Sequence, residues 1–186
     1  MEGQRNPVKE LYVHALLALC DVKSINKITV ADILRESGTA RQTFYNNFRD
    51  INDLISYVTN YHLERTPNIF NTREGSLASL AFMREHKSFF CQLPKHSGQN
   101  NFRDSHVAKL KSMYYRLVFQ TDNPPEDNLQ KVLIDMYVYS SANLFFDWLT
   151  SGMTMPSDEV YVEAFFQAKP DFIPPIILPC LMPQET

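Results

Sequence analysis

The sequence predicts an all-α protein, with an N-terminal helix-turn-helix head of three helices and a C-terminal helical bundle. Apolar residues recur every three or four positions along most of the chain, as in helices that bury one face. The alternation and hairpin turns that indicate strands are absent, and only five glycines occur among 186 residues. The predicted divisions are the head at 1–48, a connecting helix at 49–66, and a regulatory and dimerisation body at 67–186 with a proline-rich tail.

Capping residues predict where each head helix starts. Asn6 precedes Pro7, which suits the first position of a helix because proline lacks the N–H that would be unpaired there. Three later starts share an acceptor side chain followed three residues on by a carboxylate or an amide: Thr29 with Asp32, Thr39 with Gln42, and Asp50 with Asp53. Gly38 lies where the second helix must turn into the third with positive φ. This tight spacing predicts a helix-turn-helix, whose second helix most often reads a DNA major groove.

Helical spacing also predicts which faces of the head are buried. The first helix contributes Val8, Leu11, Tyr12, Ala15, Leu16, Leu19 and Cys20. The next three contribute Val30, Ile33, Leu34, Phe44, Phe48, Leu54, Ile55 and Val58. The fourth helix stops before Pro67 and is long enough to couple the head to the body.

The body is predicted to be helical at approximately 74–93, 99–121, 126–151 and 157–168. Residues 129–149 are apolar on nearly every side, so we expect this helix to be buried by its own domain or by a second subunit. The tail after Lys169 contains five prolines and cannot form a regular helix. We expect it to lie extended over apolar surface.

Charge and composition narrow the class of protein. The chain has a net charge of −3, and residues 1–65 carry eight basic and eight acidic side chains. Non-specific DNA affinity comes from phosphate neutralisation, so a neutral head binds DNA only if its bases share one face. The polar start does not resemble a signal peptide, and no apolar run approaches the roughly 20 residues that span a bilayer. Three widely spaced cysteines indicate reduced thiols, so a cytoplasmic protein is expected.

The sequence contains none of the common catalytic motifs. GxSxG, P-loop, HExxH and GxGxxG patterns are all missing, and Asp135 with Asp147 is the only carboxylate pair that could be nominated for catalysis. His86, His96 and His106 do not have metal-ligand spacing with a cysteine or glutamate. The prediction is a protein without enzymatic activity, cofactor or metal.

Residues 28–55 resemble the DNA-binding head of TetR-type transcriptional regulators. In that family a second helix with β-branched and acidic residues leads through a glycine turn to a short recognition helix ending in Tyr-x-His-Phe. The matching positions are Thr29, Ile33, Gly38, Thr43, Tyr45, Phe48 and Leu54. Residues 137–156 are similar to the last helices of the subgroup of dihydroxyacetone-kinase operon activators, where a Tyr-Ser-Ser helix leads to a tryptophan and a glycine-containing turn. The sequence departs from the family at Gln42, at Asn47 and at Ile51, which replaces a lysine that touches the DNA backbone.

The resemblance implies a set of DNA-binding residues: Thr29, Thr39, Arg41, Gln42, Thr43, Tyr45, Asn46 and Asn47. Within it, Arg41, Gln42, Thr43 and Asn46 are expected to face the major groove of double-stranded operator DNA, where arginine and glutamine pair with guanine and adenine. Thr29, Tyr45 and Asn47 are expected to hold phosphates. The alternative is a solvated helix face, with Tyr45 serving as part of the core.

An effector site is predicted on the long apolar helix. Asp135, Tyr139, Asn143 and Asp147 form a ridge at four-residue spacing, and with Tyr115 they could orient a small molecule in an apolar pocket. The alternative is that this ridge is a solvent-exposed edge of the helix that binds no ligand.

Taken together, these features predict a ligand-responsive repressor that acts as a homodimer, with a small-molecule or protein effector. One competing hypothesis, favoured by Ile51, is a TetR-shaped co-regulator that works mainly through a protein partner. The other is a small-molecule-binding or catalytic protein whose head only stabilises the fold.

Overall fold

The computed structural model describes residues 6–65, 68–96 and 102–176, and within them it contains helices and no strand. The all-α prediction is therefore confirmed. The helices are α1 (Pro7–Val22), α2 (Val30–Ser37), α3 (Arg41–Tyr45), α4 (Ile51–Arg65), α5 (Arg73–Glu85), α6 (Lys87–Phe90), α7 (Phe102–Phe119), α8 (Leu129–Thr150) and α9 (Asp158–Gln167). Short 3₁₀ turns occur at Ile25–Lys27 and Leu93–Lys95.

Most of the predicted caps are present. The Asn6 side chain accepts hydrogen bonds from Val8 N and Lys9 N at the start of α1. Thr29 and Asp32 form a reciprocal capping box on α2. Asp50 accepts from the backbone of α4 at 2.9 Å.

The predicted cap at Thr39 is wrong, since α3 begins one residue later with Ala40 as its N-cap. The Thr39 N–H donates to Leu34 O at 3.2 Å, which ties Thr39 to the end of α2. Its hydroxyl lies 2.9 Å from the Ser37 hydroxyl rather than capping α3. Gly38, between the two helices, has φ of +66°, as the turn was predicted to require.

Three aromatic rings form the centre of the head. The Tyr12 ring meets Phe44 and Phe48 edge-on, with centroid distances of 5.4 and 5.8 Å. The predicted burial of Leu11 is wrong, because its side chain is 48% exposed whereas Val13 and Leu17 are buried. Helix α1 packs against α2, α4 and α6 together, so its buried stripe is wider than one face and is displaced from Leu11.

The predicted helix at 74–93 is interrupted at His86, which has φ of −110° and ψ of +36°. The short helix α6 then turns both Phe89 and Phe90 into the core, with their rings 5.1 Å apart. The predicted helix is thus two helices, α5 and α6, separated at the non-helical residue His86.

The residues that the structure describes form two apolar clusters. The first runs without interruption from the head through α5 and α6 to Phe146 and Trp148 of α8. The second joins α7 and α8 to the described part of the tail, where Ile173 and Ile176 are buried. Asn71 exchanges two hydrogen bonds with the backbone of Ile176, at 2.6 and 2.7 Å. The tail up to residue 176 thus packs on the body as expected, and the rest of it lies outside the described residues.

Candidate DNA interface and effector cavity

Helix α3 presents a polar surface on an aromatic base. Phe44 and Phe48 are buried beneath it, while Arg41, Gln42 and Asn46 are exposed to solvent. This is the arrangement that a recognition helix needs, because the buried rings fix the position of the side chains above them.

Short-range hydrogen bonds order the exposed side chains. Gln42 Nε2 donates to Asn46 Oδ1 at 2.9 Å, which leaves the Gln42 carbonyl oxygen and the Asn46 amino group for other partners. The Arg41 guanidinium lies 5.4 Å from the centre of the Tyr45 ring and donates to the Tyr45 hydroxyl at 3.3 Å. A side chain that is already ordered loses less entropy when it binds.

The other predicted DNA-binding residues have structural hydrogen bonds. Asn47 Nδ2 donates to Thr43 O at 2.8 Å and so caps the end of α3. The Thr29 hydroxyl donates to Asp32 Oδ2 at 2.8 Å within the capping box. Thr43 and Asn47 are half-buried, and Thr39 pairs with Ser37 at the preceding turn.

Asp32 holds two of the basic side chains of the head. Its carboxylate lies 2.5 Å from Lys23 Nζ and 2.6 Å from Arg35 Nη2. The bond from Lys23, followed by those from Thr29 and Arg35, holds the pKa of Asp32 well below its usual range. Lys23 and Arg35 are therefore committed to an internal partner, which leaves Arg41 as a basic group on the exposed face of α3.

A cavity of about 210 Å³ lies in the body, bordered by residues of the six helices from α4 to α9. Its wall is mainly apolar and includes Leu80, Met83, Leu110, Met113, Phe145 and Phe165. Ser79 and His106 also border it. This site was hard to predict from the sequence, because its residues come from six separate helices and share no motif. The adjacent phenylalanines Phe145 and Phe146 were the main signal available.

The His106 ring is packed among phenylalanines. It stacks on Phe145 with a centroid distance of 5.1 Å and an interplanar angle of 23°, and it meets Phe102 and Phe146 at 5.8 Å. Burial, with a smaller effect from Lys109, lowers the pKa of His106 to about 4. The imidazole is therefore neutral at pH 7, with one donor and one acceptor nitrogen.

The five predicted effector-site residues lie apart from this cavity. Asp135 accepts a hydrogen bond from Tyr115 and pairs with Lys111 and Lys131 at 3.0 and 3.1 Å. Tyr139, Asn143 and Asp147 are exposed along α8. Tyr115, Tyr139 and Asn143 border a shallow recess between α7 and α8. The structure does not bring the five together in an apolar pocket, and their role in effector binding stays a prediction.

Within the residues that the structure describes, no three His, Cys, Asp or Glu side chains are grouped in a way that could hold a metal ion. In the same part of the chain, no helix combines the length and apolar character needed to cross a membrane.

The family model of the TetR C-terminal type, described as a transcriptional regulator C-terminal region, matches residues 71–165. This match covers just over half of the chain, which therefore belongs to the TetR-type transcriptional regulators. Among solved structures, the chain is similar to the dihydroxyacetone kinase operon activator DhaS, with a TM-score of 0.61 and 18% identity over 86% of this chain and 92% of that one. At this identity the likeness shows the shared fold. No curated protein sequence matches the chain.

Proposed function

We propose that this protein is a cytoplasmic, ligand-responsive repressor that binds a specific DNA operator as a homodimer. The exposed polar face of α3 is the observation that carries the proposal. Arg41, Gln42 and Asn46 project from a helix anchored by Phe44 and Phe48. Arginine suits the acceptors of guanine, and the free oxygen and amino group of the Gln42–Asn46 pair suit the donor and acceptor of adenine. Thr43 adds a methyl group and a hydroxyl beside them.

Residues at the edge of α3 would hold the DNA backbone. Tyr45 is 44% exposed and keeps its hydroxyl at the surface beside Arg41. Asn47 and Thr29 would add contacts from the two ends of the motif, with Thr39 at the turn between them. These contacts would set the register without selecting a sequence.

Helix α8 offers a surface for a second copy of the chain. Leu129, Val132, Met136 and Tyr139 are 74, 45, 64 and 51% exposed, and they recur at helical spacing along one side of the helix. We call these four residues the α8 stripe. Such a stripe is costly to leave in water. Burial against the same stripe of a partner would place two α3 helices on successive major grooves, roughly 34–36 Å apart.

The connecting helix provides a route from effector to DNA. On α4, Leu54, Ile55 and Val58 are buried in the head core, while Ser56 and Thr59 border the cavity. A ligand that binds one position of α4 more tightly would shift the population of head positions. Hydrogen bonds from Ile25 N to Gln92 and from Gln92 to Cys20 O, at 2.7 and 3.2 Å, hold the head to the body beside it.

The α8 stripe also supports a second candidate, a co-regulator that acts through a different protein. In that case the stripe would bind the partner rather than a second copy, and α3 would not need to touch DNA. The absence of a lysine at Ile51 favours this candidate. The two candidates differ in whether α3 substitutions matter.

A gel-shift titration against the region upstream of the protein's own gene tests the DNA-binding proposal. Arg41→Ala and Gln42→Ala should each weaken specific binding about tenfold, since a bidentate base contact contributes roughly 1–3 kcal/mol. Arg116→Ala is the matched control, because it removes the same charge from an arginine that is 52% exposed and paired with Asp122 in the body. The proposal fails if the wild-type protein binds the region no better than random DNA of equal length, or if all three variants behave alike.

A further inference from the structure

The cavity wall contains a hydroxyl group that the protein leaves without a partner. Three buried side-chain polar atoms in the described residues lack a hydrogen bond: Tyr12 Oη, Ser79 Oγ and Trp148 Nε1. Of these residues, only Ser79 borders the cavity, and it is 1% exposed. Buried polar groups are rarely left unpaired, because their loss of water is then uncompensated. A molecule bound in the cavity would supply the missing hydrogen bond once the Ser79 side chain, whose Oγ is inaccessible in this structure, rotates toward it.

The charges around the cavity limit what can enter it. No aspartate or glutamate is found among its described lining residues. A cation inside would therefore have no counter-charge and would be strongly disfavoured. The imidazole of His106 is neutral, and Lys109 lies at the solvent-exposed rim, where it donates to Asn60 Oδ1. The interior thus suits an uncharged molecule.

The volume and the lining of the cavity indicate a ligand that contains one aromatic ring. A cavity of about 150 Å³ lined by apolar side chains accommodates benzene, and this one measures about 210 Å³. The additional space fits a small substituent on the ring. Phe70, Phe90, Phe102, Phe145 and Phe165 border the space and offer the edge and face contacts that aromatic rings prefer. Exposed Ser56 and Ser105 border it as well, which places an opening between α4 and α7.

We infer that the cavity binds a small uncharged phenol, with its ring among the phenylalanines and its hydroxyl hydrogen-bonded to Ser79. The binding itself is independent of DNA, whereas its role as the effector rests on the proposed function. The site differs from the predicted one at Tyr115 and Asp135, and it uses none of those five residues.

Titration of the full-length protein with phenol, followed by calorimetry or ligand-observed NMR, tests the ligand class. Phenol should bind with a Kd of about 1 mM or tighter, as expected for a ligand of this size in a largely apolar cavity. Benzylammonium and benzoate are the charged probes, and each should bind at least tenfold more weakly. The absence of phenol binding, or equal or tighter binding of either ion, would overturn the inference.

Ser79→Ala tests the contact. This variant should weaken phenol binding about fivefold, in line with the loss of one hydrogen bond, while toluene, which lacks the hydroxyl, should bind both proteins equally. Because the Ser79 hydroxyl has no partner, the variant should unfold at the same temperature as the wild type. Ser140→Ala is the matched control, since it removes a serine hydroxyl that donates to Tyr137 O on α8, outside the cavity. Equal weakening of phenol and toluene would show that Ser79 acts through shape and would reject the hydrogen bond.

The titration also separates this inference from the proposed function. Phenol binding without any operator binding would leave the cavity assignment standing and reject the DNA-reading role. Operator binding without phenol binding would support the DNA-reading role and reject the assignment of the cavity. If both hold, added phenol should change the operator affinity of the wild type more than that of Ser79→Ala.

Discussion

In the head, the rings of Tyr12, Phe44 and Phe48 fill the space between the helices, whereas in the body a larger set of phenylalanines surrounds a cavity of about 210 Å³. The exposed surfaces of the two regions also differ in polarity. Helix α3 exposes mainly polar groups, and α8 exposes the apolar α8 stripe. The centre of the head is thus filled by its own side chains, whereas the body leaves the apolar groups of the cavity and of the α8 stripe for other molecules.

This difference assigns separate physical tasks to the two regions. A filled core transmits displacement rather than absorbing it, so a head packed in this way moves as a rigid unit. Apolar groups that line the cavity or form the exposed stripe are fully buried only when another molecule binds over them. Such binding therefore stabilises the folded state of the body. Under the proposed function, specificity for DNA would depend on the surface of α3, and regulation would depend on what the body binds.

The largest expected effect comes from truncating the head core. Phe44→Ala removes a ring that is 0% exposed and contacts three other rings. We expect a loss of about 3–5 kcal/mol in the free energy of unfolding, because a filled core cannot collapse around the new void. Phe145→Ala is the matched variant in the body, where the removed ring is only partly buried and already borders a cavity. We expect it to lose about 1–2 kcal/mol.

Urea denaturation of the two variants measures both losses on the same protein. Losses of equal size would show that the body is packed as tightly as the head and would remove the basis of the comparison.

The second effect concerns the α8 stripe. Met136→Asp places a carboxylate where the proposed homodimer buries apolar surface, which should raise the dissociation constant of the dimer about 100-fold, equivalent to roughly 3 kcal/mol. Sedimentation analysis should find the wild type as a dimer and the variant as a monomer that still folds. Met155→Asp is the matched control, because Met155 is 70% exposed in the turn after α8 and lies outside the stripe.

The same pair of variants separates the two candidate functions. If the stripe binds a different protein, the wild type should be a monomer that does not bind the operator by itself, and Met136→Asp should abolish capture of that partner. If the stripe forms the homodimer, Met136→Asp should instead weaken operator binding, because each half-site is then bound alone.

The features that could be predicted from the sequence depend on residues three or four positions apart. The capping box of Thr29 and Asp32 and the positive φ of Gly38 are local, and the burial of Phe44 and Phe48 follows from their four-residue spacing. The error at Thr39 is local as well, since a hydroxyl at the end of α2 has the same sequence signature as one at the start of α3.

The remaining features depend on how helices meet. The cavity joins residues of six helices, so no spacing along the chain identifies it. The sequence of α8 indicates apolar character on all sides but does not say which side the rest of the chain covers, and the α8 stripe became visible only in three dimensions. Exposure of Leu11 likewise follows from three helices packing against α1.

The smallest effect is a pH dependence confined to the body. Burial lowers the pKa of His106 from about 6.5 to about 4, so the fold favours the neutral ring. The neutral His106 ring contributes fully to the free energy of unfolding above the pKa of the unfolded state, about 6.5. As the pH falls from about 6.5 to about 4, the free energy of unfolding decreases by roughly 2 kcal/mol, after allowance for partial solvation. His96, whose pKa is also lowered by burial, acts in the same direction. The lowered pKa of Asp32 in the head matters only at more acidic pH, below the unfolded value of about 4.

Hydrogen exchange at pH 7 and pH 5 measures this effect separately in the two regions. Amides of α7 should lose protection at pH 5 by more than those of α2. His106→Phe keeps an aromatic ring beside Phe145 and should remove most of the difference, whereas His14→Gln, at an exposed position on α1, should not. Equal loss of protection in α2 and α7 would mean that acid acts on the whole cluster shared by head and body. The difference between the filled core of the head and the cavity of the body would then have no counterpart in the pH dependence of their stability.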